Sequence, residues 1–105
     1  MIRIIKENKS KGIVKALTDV EDAINSYFNN QVSISVDESG DSITYSADGI
    51  NPRSVRVVRR MVPVYDVIDP IGDKVGTYSS VDNLTNAVVQ LIVDDVRVTQ
   101  SSRTD

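Results

Sequence analysis

The stretch from Val64 to Ile92, VYDVIDPIGDKVGTYSSVDNLTNAVVQLI, constrains the fold more than any other part of the chain. It reads as strand, tight turn, strand and helix, and each boundary has a chemical cause. Asp69-Pro70-Ile71-Gly72 puts Asp first, Pro second and Gly fourth, the residue order of a type I turn closing into a bulge at Gly72. Ser79 or Ser80 supplies a helix N-cap, followed by the seam Val81, Leu84, Val88 and Leu91, with Ala87 and Ile92 alongside. A strand hairpin feeding an amphipathic helix specifies an α+β domain.

Upstream, Gln31 to Ala47 alternates as a second hairpin. Centring its turn on Ser39-Gly40 sets Val36 opposite Ile43, Ile34 opposite Tyr45 and Val32 opposite Ala47, so each apolar residue meets another. Ser33, Ser35, Thr44 and Ser46 share the other face, which carries no Lys or Glu to discourage pairing with a further strand. Asp48 to Arg53 reads as a loop, and Ser54 to Val62 as a Val-rich strand with interleaved Arg. Pro63 cannot donate to a ladder and implies a bend, bulge or edge.

The N-terminal third is read in pieces. Ile2 and Ile4 suggest a short strand, Asn8 to Gly12 a turn, and Ile13 to Leu17 a second short strand or an extended lead. Thr18-x-x-Glu21 matches a capping box. The positions Val20, Ala23, Ile24, Tyr27 and Phe28 form one helical face, ended by Asn29-Asn30. At the other end, Asp94-Asp95 opposes a helix C-terminus electrostatically, so the last helix is expected to stop near Val93. Val96 to Val98 could add a strand, and residues 100–105 read as a disordered tail. The expected architecture is α+β: an antiparallel sheet of about four to five main strands, with two amphipathic helices packed on one face. A single domain would span residues 1–99.

The missing residue types exclude much chemistry. The chain has 105 residues, no His and no Cys. Nucleophilic sites that rely on His or Cys, disulfides and thiolate metal sites are therefore ruled out within one chain. Zinc sites are nearly excluded, and no phosphate-cradling Gly-rich motif occurs. No cofactor and no catalytic residue is expected. Asp66, Asp69 and Asp73 cluster at one hairpin and could hold Mg²⁺ or Ca²⁺, but Asp69 is better explained by bonding its own turn amides. No apolar run approaches the ~18 residues of a spanning helix, and the N-terminus has no signal-peptide core. These features point to a cytoplasmic protein with no membrane partner.

Net charge is −3, but its distribution is polarised. Lys9 and Lys11 belong to a basic N-terminal run, and Arg53, Arg56, Arg59 and Arg60 form a second cluster. In strict alternation Arg56, Val58 and Arg60 share one strand face, while Val55, Val57 and Arg59 share the other; a bulge near Arg59 would return Met61 to the apolar side and group Arg59 with Arg60. Guanidinium groups on a sheet can bind phosphate, and strands can enter the major groove. The element order strand, strand, strand, helix over Ser54 to Val93 resembles the small DNA-binding domains of plant AP2 factors and phage integrase arm-site modules. The resemblance covers about two-fifths of the chain, without a diagnostic motif, and implies a DNA- or RNA-binding module built on the arginine strand. Against it, Asp66 and Asp69 repel phosphate and aromatics are too few for base stacking.

The leading expectation is a small non-catalytic interaction protein that binds a macromolecular, most simply protein, partner through Arg53, Arg56, Arg59, Arg60, Lys9 and Lys11. Its overall look is that of a phage accessory protein or an inhibitor of a host enzyme or defence complex. Nucleic-acid binding is the alternative, and the Ser/Thr hairpin face leaves room for a homodimer.

Overall fold

A computed structural model describes the backbone of residues 2–37, 41–60 and 64–103, with side chains described from Ile13 onward except Val14 and the last residues of the C-terminal helix. The elements run α1 (Ile2–Tyr27), β1 (Ser33–Val36), β2 (Ser42–Ala47), β3 (Ile50–Arg59), β4 (Tyr65–Ile68), β5 (Lys74–Tyr78) and α2 (Val81–Arg103). The strands form one antiparallel meander in the order β1-β2-β3-β4-β5, so β3 is central. The architecture is the α+β arrangement that the alternation and helix seams imply.

The helices cover one sheet face. Ile13, Leu17, Val20 and Ile24 recur at i, i+4, i+7 and i+11 on α1, and all are buried. Leu84, Val88, Ile92 and Val96 form the matching stripe on α2. Between them and the sheet lie Ile43 and Tyr45 of β2, Val55 and Val57 of β3, and Val67 of β4, all within one core cluster. Ile34 and Val36 of β1, with Tyr65 and Tyr78, close its margins half-buried. The Arg97 guanidinium reaches the Tyr27 hydroxyl at 3.4 Å, linking the C-terminal end of α1 to the second half of α2.

Local chemistry sets the boundaries. Asn29 and Asn30 both hold positive φ (51° and 62°), where the Asn side chain lowers the cost of left-handed backbone. The Asn30 amide donates to the Asn25 carbonyl at 2.9 Å, the 6→1 bond of a Schellman cap. Ser80 is the α2 N-cap: its hydroxyl accepts from the Asn83 amide at 3.1 Å. At the β4–β5 turn the Gly72 amide donates to the Asp69 carbonyl (2.9 Å), and Gly72 has φ 97°. The Asp69 carboxylate accepts from the amides of Ile71 (3.1 Å) and Asp73 (2.8 Å). The type I turn with a bulge at Gly72 therefore stands as its residues dictate. The β1–β2 register pairs Val36 with Ile43 and Ile34 with Tyr45, as expected; Val32 is buried but precedes the strand.

Several expectations are corrected. The separate N-terminal strands and turn are instead a single helix of 26 residues. Thr18 lies in its interior, so the Thr18–Glu21 pattern caps nothing. The stripe that begins at Ile13 continues unbroken into Val20 and Ile24, and burying that stripe outweighs the roughly 1 kcal/mol that Gly12 costs inside a helix. Strand β3 begins at Ile50, not Ser54, because the two-residue connection Asp48-Gly49, with Gly49 at φ 82°, suffices to reverse the chain. Finally, α2 continues through Asp94-Asp95 to Arg103. The segment read as a strand at Val96 to Val98 is helical, and so are residues 100–103, read as part of a tail. The Ser39-Gly40 turn, Met61 and Pro63 lie outside the described residues.

Gly72 isolates a purely conformational cost. A Cβ there would meet no atom within 4 Å, yet φ 97° disfavours any L side chain. Gly72→Ala is expected to lower unfolding free energy by about 1–2 kcal/mol in urea titration, with an unchanged m-value.

Candidate functional site: a divided arginine strand and an uncovered sheet face

The four arginines of the β3 region do not form one patch. Arg53 lies on the helix-covered face, paired across β2 with Tyr45. Its Nη1 donates to both carboxylate oxygens of Asp95 on α2, at 2.6 and 2.7 Å, and lies 3.5 Å from the Thr99 hydroxyl. The buried Tyr45 hydroxyl donates to the same carboxylate at 2.6 Å. Burial, and then the hydrogen bond to the anionic Asp95, hold the Tyr45 phenol well above the usual tyrosine range. The hydrogen bond and charge of Asp95 raise the Arg53 guanidinium as well.

Asp95 is the residue that reading the sequence for helix ends misassigns. It lies three residues after Ile92 and four before Thr99, on the sheet-facing side of α2. A carboxylate there needs a donor from the sheet, and Arg53 and Tyr45 provide two. Its neighbour Asp94 points away and accepts from the Gln90 amide at 2.9 Å. Beside this cluster a groove of about 480 Å³ opens between α2 and the β4–β5 turn, lined by Leu91, Pro70, Ile71 and Val75 together with Arg53, Asp95 and Asp69.

Arg60 lies on the opposite face and is also engaged, donating to Asp66 at 3.1 Å. The Thr77 hydroxyl donates to the other Asp66 oxygen at 2.6 Å. These two neighbours cover Asp66 on the outer surface of the sheet, away from the core. The Thr77 hydrogen bond, assisted by Arg60, holds the Asp66 carboxyl below the ordinary aspartate range. Asp66 and Asp69 are thus each committed to protein donors, and among the described residues no group of three acidic side chains is placed to hold a metal ion.

Arg56 and Arg59 are exposed, and neither has an ion-pair partner among the described residues. They point to opposite faces, since Arg56 pairs with Ile68 and Arg59 with Tyr65. Lys9 and Lys11 lie in the N-terminal half of α1, and their side chains fall outside the described residues.

The face away from the helices is open across the sheet. It carries Ser33 and Ser35 from β1, Ser42, Thr44 and Ser46 from β2, Ser54, Arg56 and Val58 from β3, and Ile68 and Thr77 beyond. The Thr44 and Ser54 hydroxyls share a hydrogen bond of 2.8 Å. Val58 is 39% exposed on the central strand. With half-buried Ile68 it forms a small apolar spot, bordered by Arg56, the Arg60–Asp66 pair and hydroxyls. Among the described residues, no helix is long and apolar enough to cross a membrane.

Two substitutions test the electrostatics. A phenol whose pKa is raised by folding stabilises the fold below the unfolded value of about 10 and loses that contribution as pH rises above it. Unfolding free energy should therefore fall as pH rises above about 10, and Tyr45→Phe should flatten that slope while costing about 1–2 kcal/mol at pH 7. For Asp66 the sign reverses: its contribution is present above about pH 4 and fades as pH falls through the lowered native value. Thr77→Val should move the Asp66 titration midpoint, read by carboxyl NMR, upward.

No protein-family model, curated protein or solved structure matches this chain.

Proposed function

We propose that this is a non-catalytic interaction protein that binds a protein partner on the uncovered sheet face, with Val58 at the centre of the contact and Arg56 as its charged anchor. The observation that carries this reading is the division of the arginines. Two of the four are neutralised by carboxylates of the same chain, Asp95 and Asp66. Among the described residues, what remains on the open face is one guanidinium without an ion-pair partner, beside an apolar spot in a field of hydroxyls. A partly apolar centre with an Arg and a polar, hydrogen-bonding rim is the composition of a protein contact. Phosphate recognition draws instead on a run of unpaired cations. The partner would offer a carboxylate to Arg56 and an apolar side chain to Val58 and Ile68.

The nucleic-acid alternative keeps one supporting observation, that Arg56 has no ion-pair partner among the described residues, on a face broad enough to lie along a groove. Affinity for duplex DNA measured at low salt separates the two readings, because phosphate binding weakens steeply as salt rises. No binding is expected. Salt-sensitive binding abolished by Arg56→Glu would favour the alternative.

A direct test places a photo-reactive amino acid at Val58 and a second at the exposed α2 position Asn86, in the full chain within its native cell. Capture of one discrete partner from Val58 but not Asn86, lost on adding Arg56→Glu, is the expected result. Equal capture from both positions, or capture indifferent to Arg56, would contradict the assignment.

A further inference from the structure

The two edges of the sheet differ in a way that the binding face does not account for. Strand β5 carries Lys74 and a register irregularity opposite Val67 and Ile68, two devices that discourage strand addition. Strand β1, Ser33-Ile34-Ser35-Val36, has no charge, no proline and no bulge. The Asp37 amide donates to the Ser42 carbonyl at 2.9 Å. Continuing that alternation along the β1–β2 register, Ser33 and Ser35 bond to β2, while the amides and carbonyls of Ile34 and Val36 point away from it. No described element lies beyond them. The sheet thus ends in a bare row of donors and acceptors.

We propose that this edge pairs with β1 of a second copy of the chain, antiparallel about a two-fold axis at Ser35, to give a continuous ten-stranded sheet. The sequence of β1 is complementary to itself in that register. Ile34 meets Val36 of the second copy on the inner face, exchanging both backbone hydrogen bonds, and Val36 meets Ile34 likewise. On the outer face Ser35 meets Ser35, and Ser33 meets Asp37, a hydroxyl beside a carboxylate. No like charges oppose each other within the strand. Ile34 and Val36 are only partly buried against the core in one copy, and the pairing covers their open side. A two-fold axis normal to the sheet keeps both helical layers on one side, so the α1 helices that flank each β1 become neighbours. The serine, threonine and arginine face becomes one surface of doubled width. The inference is independent of what binds that face.

The chain contains no cysteine, so single-cysteine variants report the geometry without background. Ser35 is exposed, and in this register it opposes its own copy in a non-hydrogen-bonded pair, where Cα atoms lie about 4.5 Å apart, within disulfide reach. Ser35→Cys is expected to form a disulfide-linked dimer under mild oxidation. Ser54→Cys, equally exposed but two strands inward, should give at least about tenfold less. In sedimentation velocity the unmodified chain should shift from 11.5 kDa towards twice that mass as concentration rises. Ser35→Lys, which sets two ammonium groups face to face without touching the core, should remain at 11.5 kDa throughout. A constant 11.5 kDa for the unmodified chain would overturn the proposal. So would a dimer indifferent to Ser35→Lys, or equal cross-linking of the two cysteine variants.

Discussion

One-sided burial is the constraint on which the rest of this molecule depends. Ile43, Tyr45, Val55, Val57 and Val67 are withdrawn from water by α1 and α2, and every one of them lies on the same face of the sheet. Strand side chains alternate strictly, so the choice of inner face also dictates which residues stay outside. Arg56 and Val58 are exposed because Val55 and Val57 are buried. The surface available for recognition is thus the complement of the core, and a one-residue slip in β3 would exchange the two.

A polar cluster crosses this apolar layer, and it stabilises by position as much as by charge. Asp95 sits on the seam of α2 next to buried Val96. Left alone there, the carboxylate would oppose docking of the helix on the sheet. Arg53 and Tyr45 supply donors from two adjacent strands, so the cluster ties α2 to β2 and β3 in one rotational setting. Part of its charge remains in contact with solvent at the groove, which limits the net worth of the ion pair. Its larger effect is to disfavour other ways of seating α2, since any other setting leaves Asp95 without those donors.

The sheet was readable from the chain because its signals are local and redundant. Alternation, the turn residues Asp69, Pro70 and Gly72, and the cap at Ser80 each name the same boundaries, and the β1–β2 register followed from matching apolar residues. The helices were read too short because a local signal competed with a long-range one. Thr18 and Glu21 have the spacing of a capping box, but the stripe from Ile13 to Ile24 runs through them. Asp94 and Asp95 look like a helix terminus until Arg53, some forty residues away, is seen to receive Asp95. The same pairing explains why the arginine cluster, contiguous in sequence, is divided in space: its members alternate between faces, and two of them meet carboxylates that one-dimensional spacing does not connect. Among the described residues, Arg56 alone of that cluster presents a guanidinium without an ion-pair partner on the open face, beside the apolar spot.

Methyl NOE contacts in the isotope-labelled chain distinguish a core on this sheet face from one on the other. Contacts are expected from the Val55, Val57 and Val67 methyls to the α1 and α2 stripe residues, and none from the Val58 methyls to either helix. Helix contacts from Val58, with those from Val55 and Val57 missing, would place the core on the other face and contradict it.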